Sequence, residues 1–268
     1  FGERVSFSFG SQRRFYVLSQ KKYGPKIDVL FPVLHGRNGE DGSIQGLAQI
    51  MGIPCVGATI IGSAVGMDKD VSKRLLRDAH IPVADFLVFD KSNFSKIRFG
   101  QIAKRLGLPF FVKPATGGSS VGVHKIETKN DFRKKIEDAF VYSNKILFEE
   151  TINGREIESS ILGNRELKIS LPGAITSHHD FYSYEAKYID PNGASFEIPA
   201  TLSKKIVEHI QQVSLNAYKT LSCSGMARVD GFLKNDGSFI INEINTIPGF
   251  TSISMYPKML VATGIPYK

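Results

Sequence analysis

Four polar side chains near the C-terminal end have the types and spacing to hold a metal-bound anion. Arg228 and Asp230 lie two apart in the apolar run Met226–Leu233, and Glu243 and Asn245 lie two apart at the end of a second run that starts at Phe239. Residues two apart in a strand share a face. Asn235-Asp236-Gly237 between the runs is a turn signal, so the pair reads as a hairpin. Such a hairpin brings two carboxylates, an amide and a guanidinium to one side. Mg²⁺ takes hard oxygen ligands, usually one or two carboxylates beside phosphate oxygens. The same spacing also fits two solvent-facing strand sides with an ordinary ion pair, and spacing alone does not choose between them.

Other stretches carry weaker signals. Lys113-Pro-Ala-Thr-Gly-Gly-Ser-Ser lies between strand-like runs; its small residues leave backbone N–H groups open to phosphate, and Lys113 adds a point charge. It is not a Walker loop, and a flexible hairpin tip has the same composition. Glu149-Glu150 ends the run Lys145–Phe148, where a carboxylate suits an amino or hydroxyl group and equally a solvated strand end. His178–Asn192 is long, polar and aromatic. Loops of this kind are often lids, and Tyr182, Tyr184, Lys187 and Tyr188 could reach a phosphate or substrate. Pro248-Gly249 forces a turn that exposes a backbone N–H. Ser254 lies near the start of an expected helix, where a carboxylate is favoured. His35 and Glu40 sit in a glycine-punctuated loop that fits either a ligand or a plain polar turn.

These residues need positioning elements. Ile27–Leu34 reads as a strand buried on both faces, and Ser43–Met51 as a helix with Ile44, Leu47, Ala48 and Met51 on one side. Met67–Ala79 reads as a helix capped by Asp68, with Val71, Leu75 and Leu76 inward. Strands are expected at Ile53–Val56, Phe86–Phe89, Leu108–Val112, Lys145–Phe148, Arg155–Leu162 and Glu166–Ser170. Further helices are expected at Ser95–Leu106, Asp131–Val141, Ser203–Leu221 and Ser252–Ala262.

Composition bounds the function. The 268 residues, 42% hydrophobic, suffice for about two compact units. Two cysteines outside any C-x-x-C pair favour a reducing, cytoplasmic setting over a cysteine metal site. No apolar run approaches the roughly 18 residues of a membrane span. The opening FGERVSFSFGSQRRF is not a signal peptide. The net charge of +8 is spread over several segments, so nucleic acid is not an expected partner.

In order, FPVLHGRNGEDGSIQG, MDKDVSKRLLRDA, FVKPATGGSSVGV, DFYSYEAKYID, GMARVD and INEINTIPGFTSISMYPK resemble the D-alanine–D-alanine ligase family of the ATP-grasp superfamily, over about residues 27–260. The resemblance implies an α/β (α+β) ATP-grasp fold. Residues 1–66 would be the C-terminal part of an N-terminal substrate-binding α/β domain, 67–152 the central ATP-grasp subdomain and 153–268 the catalytic one, with ATP between the latter two. In the family a strand, a glycine-rich turn and a Glu on the next helix precede this region. None lies upstream of Ile27, so the sequence is expected to be part of a longer one.

By resemblance, Lys69 and Lys113 contact the ATP phosphates, Glu149, Ile152 and Glu156 line adenine and ribose, and Lys187 reaches the phosphates from the lid. Asp230, Glu243 and Asn245 match ligands of Mg²⁺ or Mn²⁺, expected as two ions. Arg228 and the Gly249 N–H match the groups that hold the oxyanion. Ser254 and Met255 match the segment that binds the second D-alanine, and His35 lies near the first. Ser119 and Tyr188 match a hydrogen-bonded pair that closes the lid. The implied activity is ATP-dependent joining of two D-alanines through an acyl phosphate, for peptidoglycan precursors, by a cytoplasmic homodimer. Alternatives are a D-alanyl-D-lactate or D-alanyl-D-serine ligase, or a non-catalytic nucleotide-binding fragment. The Tyr-x-Tyr-x-x-Lys-Tyr lid favours the dipeptide over the lactate product.

Overall fold

The computed structural model describes residues 3–7, 13–178, 190 and 193–267. Three antiparallel strands come first, β1 (Val5–Phe7), β2 (Phe15–Val17) and β3 (Lys22–Tyr23). Three helices follow: α1 (Ser43–Ile50), α2 (Ile60–Met67) and α3 (Lys69–Asp78). Only Asp68 separates the last two. It ends α2 in extended backbone, and its carboxylate accepts from the Asp70 and Val71 N–H groups at the start of α3. This N-cap satisfies donors that a helix start leaves open.

The second sheet has the order β4-β7-β5-β6, all antiparallel, from β4 (Phe86–Asp90), β5 (Phe110–Pro114), β6 (His124–Ile126) and β7 (Lys145–Glu150). Helices α4 (Phe99–Leu106) and α5 (Phe132–Tyr142) cover one face. Phe99, Phe110, Phe132 and Phe148 meet there with ring centroids 5.3–6.2 Å apart. Each fully buried phenylalanine contributes roughly 1.5–3 kcal/mol, enough to fix the strands that carry Lys113 and Glu149.

The third sheet comprises β8 (Arg155–Leu162), β9 (Lys168–Ile169), β10 (Gly173–Ser177), β11 (Ala194–Glu197), β12 (Met226–Leu233) and β13 (Phe239–Asn245). Its order is β11-β10-β8-β12-β13, with β9 also on β8. Helix α6 (Lys204–Thr220) packs Ile210, Ala217 and Tyr218 against Ile157, Val229 and Ile241. Helix α7 (Met255–Ala262) packs Met255 and Met259 against Ile175, and Tyr256 and Leu260 against Met226.

Several expectations need correction. Ile27–Leu34 is not a buried strand. Leu30 alone bridges Cys55, and Val29, Phe31, Val33 and Leu34 are exposed, because no described strand or helix covers that run. In α3, Val71 and Leu75 face out, and the inward face carries Ser72, Lys73 and Leu76. Ser95–Leu106 divides into a 3-10 turn at Lys91–Lys96 and the separate α4. Glu166–Ser170 contracts to β9. Helix α2 was not anticipated because Gly62 and Gly66 are poor helix formers. Their value is close approach: a Cβ on Gly62 would lie 2.5 Å from the Ser222 carbonyl, and one on Gly66 3.1 Å from Thr246 Cγ2. The bare face of α2 thereby seats against the end of β13 and aims α3 at the site.

Candidate functional site

A cleft of about 770 Å³ separates the second and third sheets, and Lys69, Lys113, Glu149, Ile152, Glu156 and Glu243 line it. One wall is β5 and β7. Lys113 and Glu149 come from these paired strands, and Lys113 Nζ lies 2.6 Å from Glu149 Oε1 and 3.2 Å from Asn242 Oδ1. Lys69 opens α3. Its ammonium donates to the Gly117 carbonyl at 2.9 Å and lies 3.2 Å from Glu243 Oε2. Through these two contacts Lys69 links the glycine-rich loop to β13. Ile152 and Glu156 form the rim where β7 passes into β8.

The far wall is the hairpin β12–β13. Arg228 faces Asn245 and Asp230 faces Glu243 across the ladder, but Gly231 pairs with Ile241. Asn242 is therefore the extra residue of a β-bulge, which breaks the alternation of sides. Asn242 and Glu243, neighbours that a regular strand would point apart, both line the cleft. Gly231 suits the bulge, since a Cβ there would lie 2.6 Å from the Ile240 carbonyl.

Beside the bulge the charges interlock. Arg228 Nε and Nη2 donate to the two oxygens of Asp230 at 2.8 and 2.7 Å, and Nε lies 3.1 Å from Glu158 Oε2. Burial disfavours the guanidinium's charge, but Asp230 and Glu158 outweigh it and raise its pKa well above the usual value. Asn245 Nδ2 donates to Asp230 Oδ2 at 2.8 Å, which leaves the amide oxygen outside that bond. Two carboxylates and an amide oxygen fit a hard divalent cation whose remaining ligands are phosphate or water oxygens. Among the described residues no group of three or more His, Cys, Asp or Glu is placed to hold a metal ion.

Glu149 is 2% exposed. Burial pushes its pKa up, but the ammoniums of Lys113 and Lys73 outweigh burial and hold it at about 2. Lys73, 1% exposed, lies 2.9 Å from Glu149 Oε2; burial lowers its pKa and Glu149 partly restores it. Glu40 accepts from the Gly36 N–H at 2.6 Å. Its pKa is raised, by burial first and by the nearby charge of Glu243 among lesser causes.

The remaining expected residues divide. His35 Nδ1 lies 3.0 Å from the Ile247 carbonyl, so the glycine loop touches the segment after β13. Ser254 Oγ accepts from the Thr251 N–H at 2.9 Å and lies close to Gly249, where a Cβ would come within 2.6 Å of it. The Met255 side chain is buried under β10 at the start of α7. Ser119 sits at positive φ in the glycine-rich loop. Tyr182, Tyr184, Lys187 and Tyr188 lie outside the described residues, and with them the Ser119–Tyr188 pair. Sequence reasoning missed Lys73, Glu158 and Asn242. A signal existed for the first two: Lys73 is one helical turn after Lys69, and Glu158 is two strand positions after Glu156.

Residues 8–58 match the family model "D-ala D-ala ligase N-terminus" and residues 75–268 match "D-ala D-ala ligase C-terminus". The fold is that of solved ATP-grasp ligases. It superposes on the D-alanine-D-alanine ligase from Coxiella burnetii with TM-score 0.86 and 37% identity, covering 98% of this chain and 70% of that one. The VanG D-Ala:D-Ser ligase from Enterococcus faecalis gives 0.87 and 37%, covering 98% and 76%. The D-alanine--D-alanine ligase of Oceanobacillus iheyensis is 51% identical over 243 residues, 91% of this chain and 66% of the relative. The D-alanine--D-alanine ligase A of Escherichia coli K12 is 47% identical over 91% of this chain and 67% of its own length. The chain belongs to the D-alanine–D-alanine ligase family. It spans about two thirds of the length of these curated relatives.

Proposed function

We propose that the chain carries the nucleotide and acyl-transfer machinery of an enzyme that joins two D-alanines at the expense of ATP. The observation that carries this reading is the convergence of Lys69, Lys113 and the bulged hairpin on one cleft in a chain of this family. The proposed division is 1–66 for substrate binding, 67–152 for the central ATP-grasp subdomain and 153–268 for the catalytic one, with ATP between the last two.

A carboxylate is a poor acyl donor because its oxygen leaves badly. In the proposed reaction one oxygen of the first D-alanine attacks the γ-phosphorus of ATP, and ADP departs. The amine of the second D-alanine then attacks the acyl carbon of this acyl phosphate. Phosphate leaves with the electron pair of the broken C–O bond, and the ammonium formed releases its proton. Lys69, Lys113 and Lys187 face the phosphates, and Ile152 and Glu156 hold the nucleoside. Glu149 supports the adenine through its backbone, since Lys73 and Lys113 occupy both side-chain oxygens. Asp230, Glu243 and Asn245 hold Mg²⁺ or Mn²⁺, two ions in this reading, which when bound neutralise developing phosphate charge. Arg228 and the Gly249 N–H stabilise the tetrahedral oxyanion. Losing such a donor typically costs about 10²–10³ in rate. Ser254 and the Met255 backbone receive the second carboxylate, His35 flanks the first substrate, and Ser119 with Tyr188 closes the lid against water. The working protein is proposed to be a cytoplasmic homodimer.

The test is phosphate release by the whole protein with ATP and Mg²⁺, with and without D-alanine, coupled to mass detection of the dipeptide. Release that ignores D-alanine would refute the ligase reading and leave a nucleotide-binding module. A second product is worth the same assay: the likeness to the D-Ala:D-Ser ligase structure equals that to the Coxiella enzyme in sequence identity. Faster turnover with D-serine, or with D-lactate, would replace the second D-alanine in this scheme.

A further inference from the structure

Lys73 is a buried cation for which the proposed chemistry has no direct use. It follows Lys69 by one turn of α3, is 1% exposed and is not among the residues that line the cleft. Its ion-pair partner among the described residues is Glu149, at 2.9 Å. Burying an ammonium is costly unless it is paired, so a lysine at this position calls for a reason.

The reason lies in how Glu149 is shared. Its Oε1 meets Lys113 at 2.6 Å and its Oε2 meets Lys73. Lys113 is the member that borders the cleft, and Asn242 holds it from the other side at 3.2 Å. Lys69 is paired with Glu243 close by. The local tally is three ammoniums, on Lys69, Lys73 and Lys113, against the two carboxylates Glu149 and Glu243. Glu149 and Asn242 take two of the three donors of Lys113, and a phosphate chain that takes the third draws the same ammonium away from Glu149. Without a second cation, that carboxylate would be left bare at 2% exposure and would compete with the phosphate for the same ammonium. Lys73 reaches the opposite oxygen and stays there, so the carboxylate remains compensated when Lys113 turns away. The depressed pKa of Glu149, set by these two ammoniums against burial, agrees with such double compensation.

We propose that Lys73 is a positioning residue: its buried ammonium holds Glu149 compensated so that Lys113 is free to turn from that carboxylate to the phosphates of the nucleotide. This rests on the reading of the cleft as a nucleotide site, and it is tested without D-alanine, so that its failure differs from failure of the ligation scheme. The measurement is equilibrium dialysis of MgATP and of adenosine against the whole protein as wild type, Lys73→Met, and Lys73→Met with Glu149→Gln. Lys73→Met should weaken ATP about tenfold, within the range that contacting residues show in double-mutant cycles, and leave adenosine, which has no phosphate, within about twofold. The double variant, with no carboxylate left to compete for Lys113, should return ATP affinity to within about threefold of wild type. Equal loss in the single and double variants would overturn the proposal. So would unchanged ATP binding in Lys73→Met, or adenosine weakened as much as ATP. If Lys73→Met does not fold, Lys73→Gln, which removes the charge and keeps a polar end, is read in its place against the same limits. A wild type that binds no MgATP would overturn the nucleotide reading, and this inference with it.

Discussion

Arg228→Ala separates two jobs that the geometry assigns to one side chain. The guanidinium makes two parallel hydrogen bonds to Asp230 and lies 3.1 Å from Glu158. Both carboxylates are nearly buried, 4% and 2% exposed. Truncation leaves like charges in the third sheet with Asn245 still donating to one of them. Breaking a buried pair by removing one partner costs about 3–5 kcal/mol. For a protein of this size 1 kcal/mol moves the melting temperature by roughly 2–4 °C, so a fall of about 6–20 °C is expected in calorimetry. Separately, losing an oxyanion donor lowers kcat by about 10²–10³. ATP affinity should change little, because the proposed scheme sets Arg228 against the oxyanion and not against the nucleotide. Arg228→Lys keeps one charge without the fork, so it should recover part of the melting temperature but little of the rate. The reasoning fails if ATP affinity falls as far as kcat, which would make Arg228 a nucleotide residue. It also fails if the melting temperature does not move, which would mean that the paired carboxylates are compensated elsewhere.

Three further outcomes are expected. Asp230→Asn removes a charge from the proposed cation set and should raise the Mg²⁺ concentration for half-maximal activity at least severalfold; an unchanged metal titration would take Asp230 out of that set. Glu149 has a folded pKa of about 2 against an ordinary 4.5, so the stability it lends is complete above about pH 4.5 and is lost as pH falls toward 2. At 1.36 kcal/mol per unit that amounts to about 3 kcal/mol. Urea melts of Glu149→Gln, compared with wild type, should show the gap closing across that interval, and a gap independent of pH would refute the assignment. Gly249→Ala would bring a Cβ within 2.6 Å of Ser254 Oγ and press on its bonds to Thr251. The KM for the second amino acid should rise severalfold while ATP affinity holds, and a loss confined to ATP would contradict the assignment of that turn.

How much of this was legible in the sequence depended on whether a signal was local. The hairpin Met226–Leu233 and Phe239–Asn245 could be read because its turn and its alternation lie within twenty residues. The bulge that turns Asn242 toward Lys113 could not. A register shift is decided by which strands flank the hairpin, here β8 on one side, and no spacing within the hairpin records it. The inward face of α3 was misread for a related reason. Apolarity nominated Val71 and Leu75, yet the helix presents Lys73 and Leu76 inward. A buried carboxylate on β7, some seventy residues away in sequence, makes a lysine acceptable there. Ile27–Leu34 shows the converse. Its composition suits a covered strand, but among the described residues the Leu30–Cys55 bridge is the one strand-type pairing it makes, and apolar character alone supplies no partner. Each failure occurs where a polar or apolar side chain owes its placement to a distant element. Such placements are concentrated around the cleft, because a site that gathers charge from three elements must compensate each charge across element boundaries. Asn242 was therefore invisible, and Lys73 and Glu158 showed only as a spacing from Lys69 and Glu156, for the reason that makes all three useful: each meets an ionised group supplied by another strand or helix, at Glu149, Arg228 and Lys113.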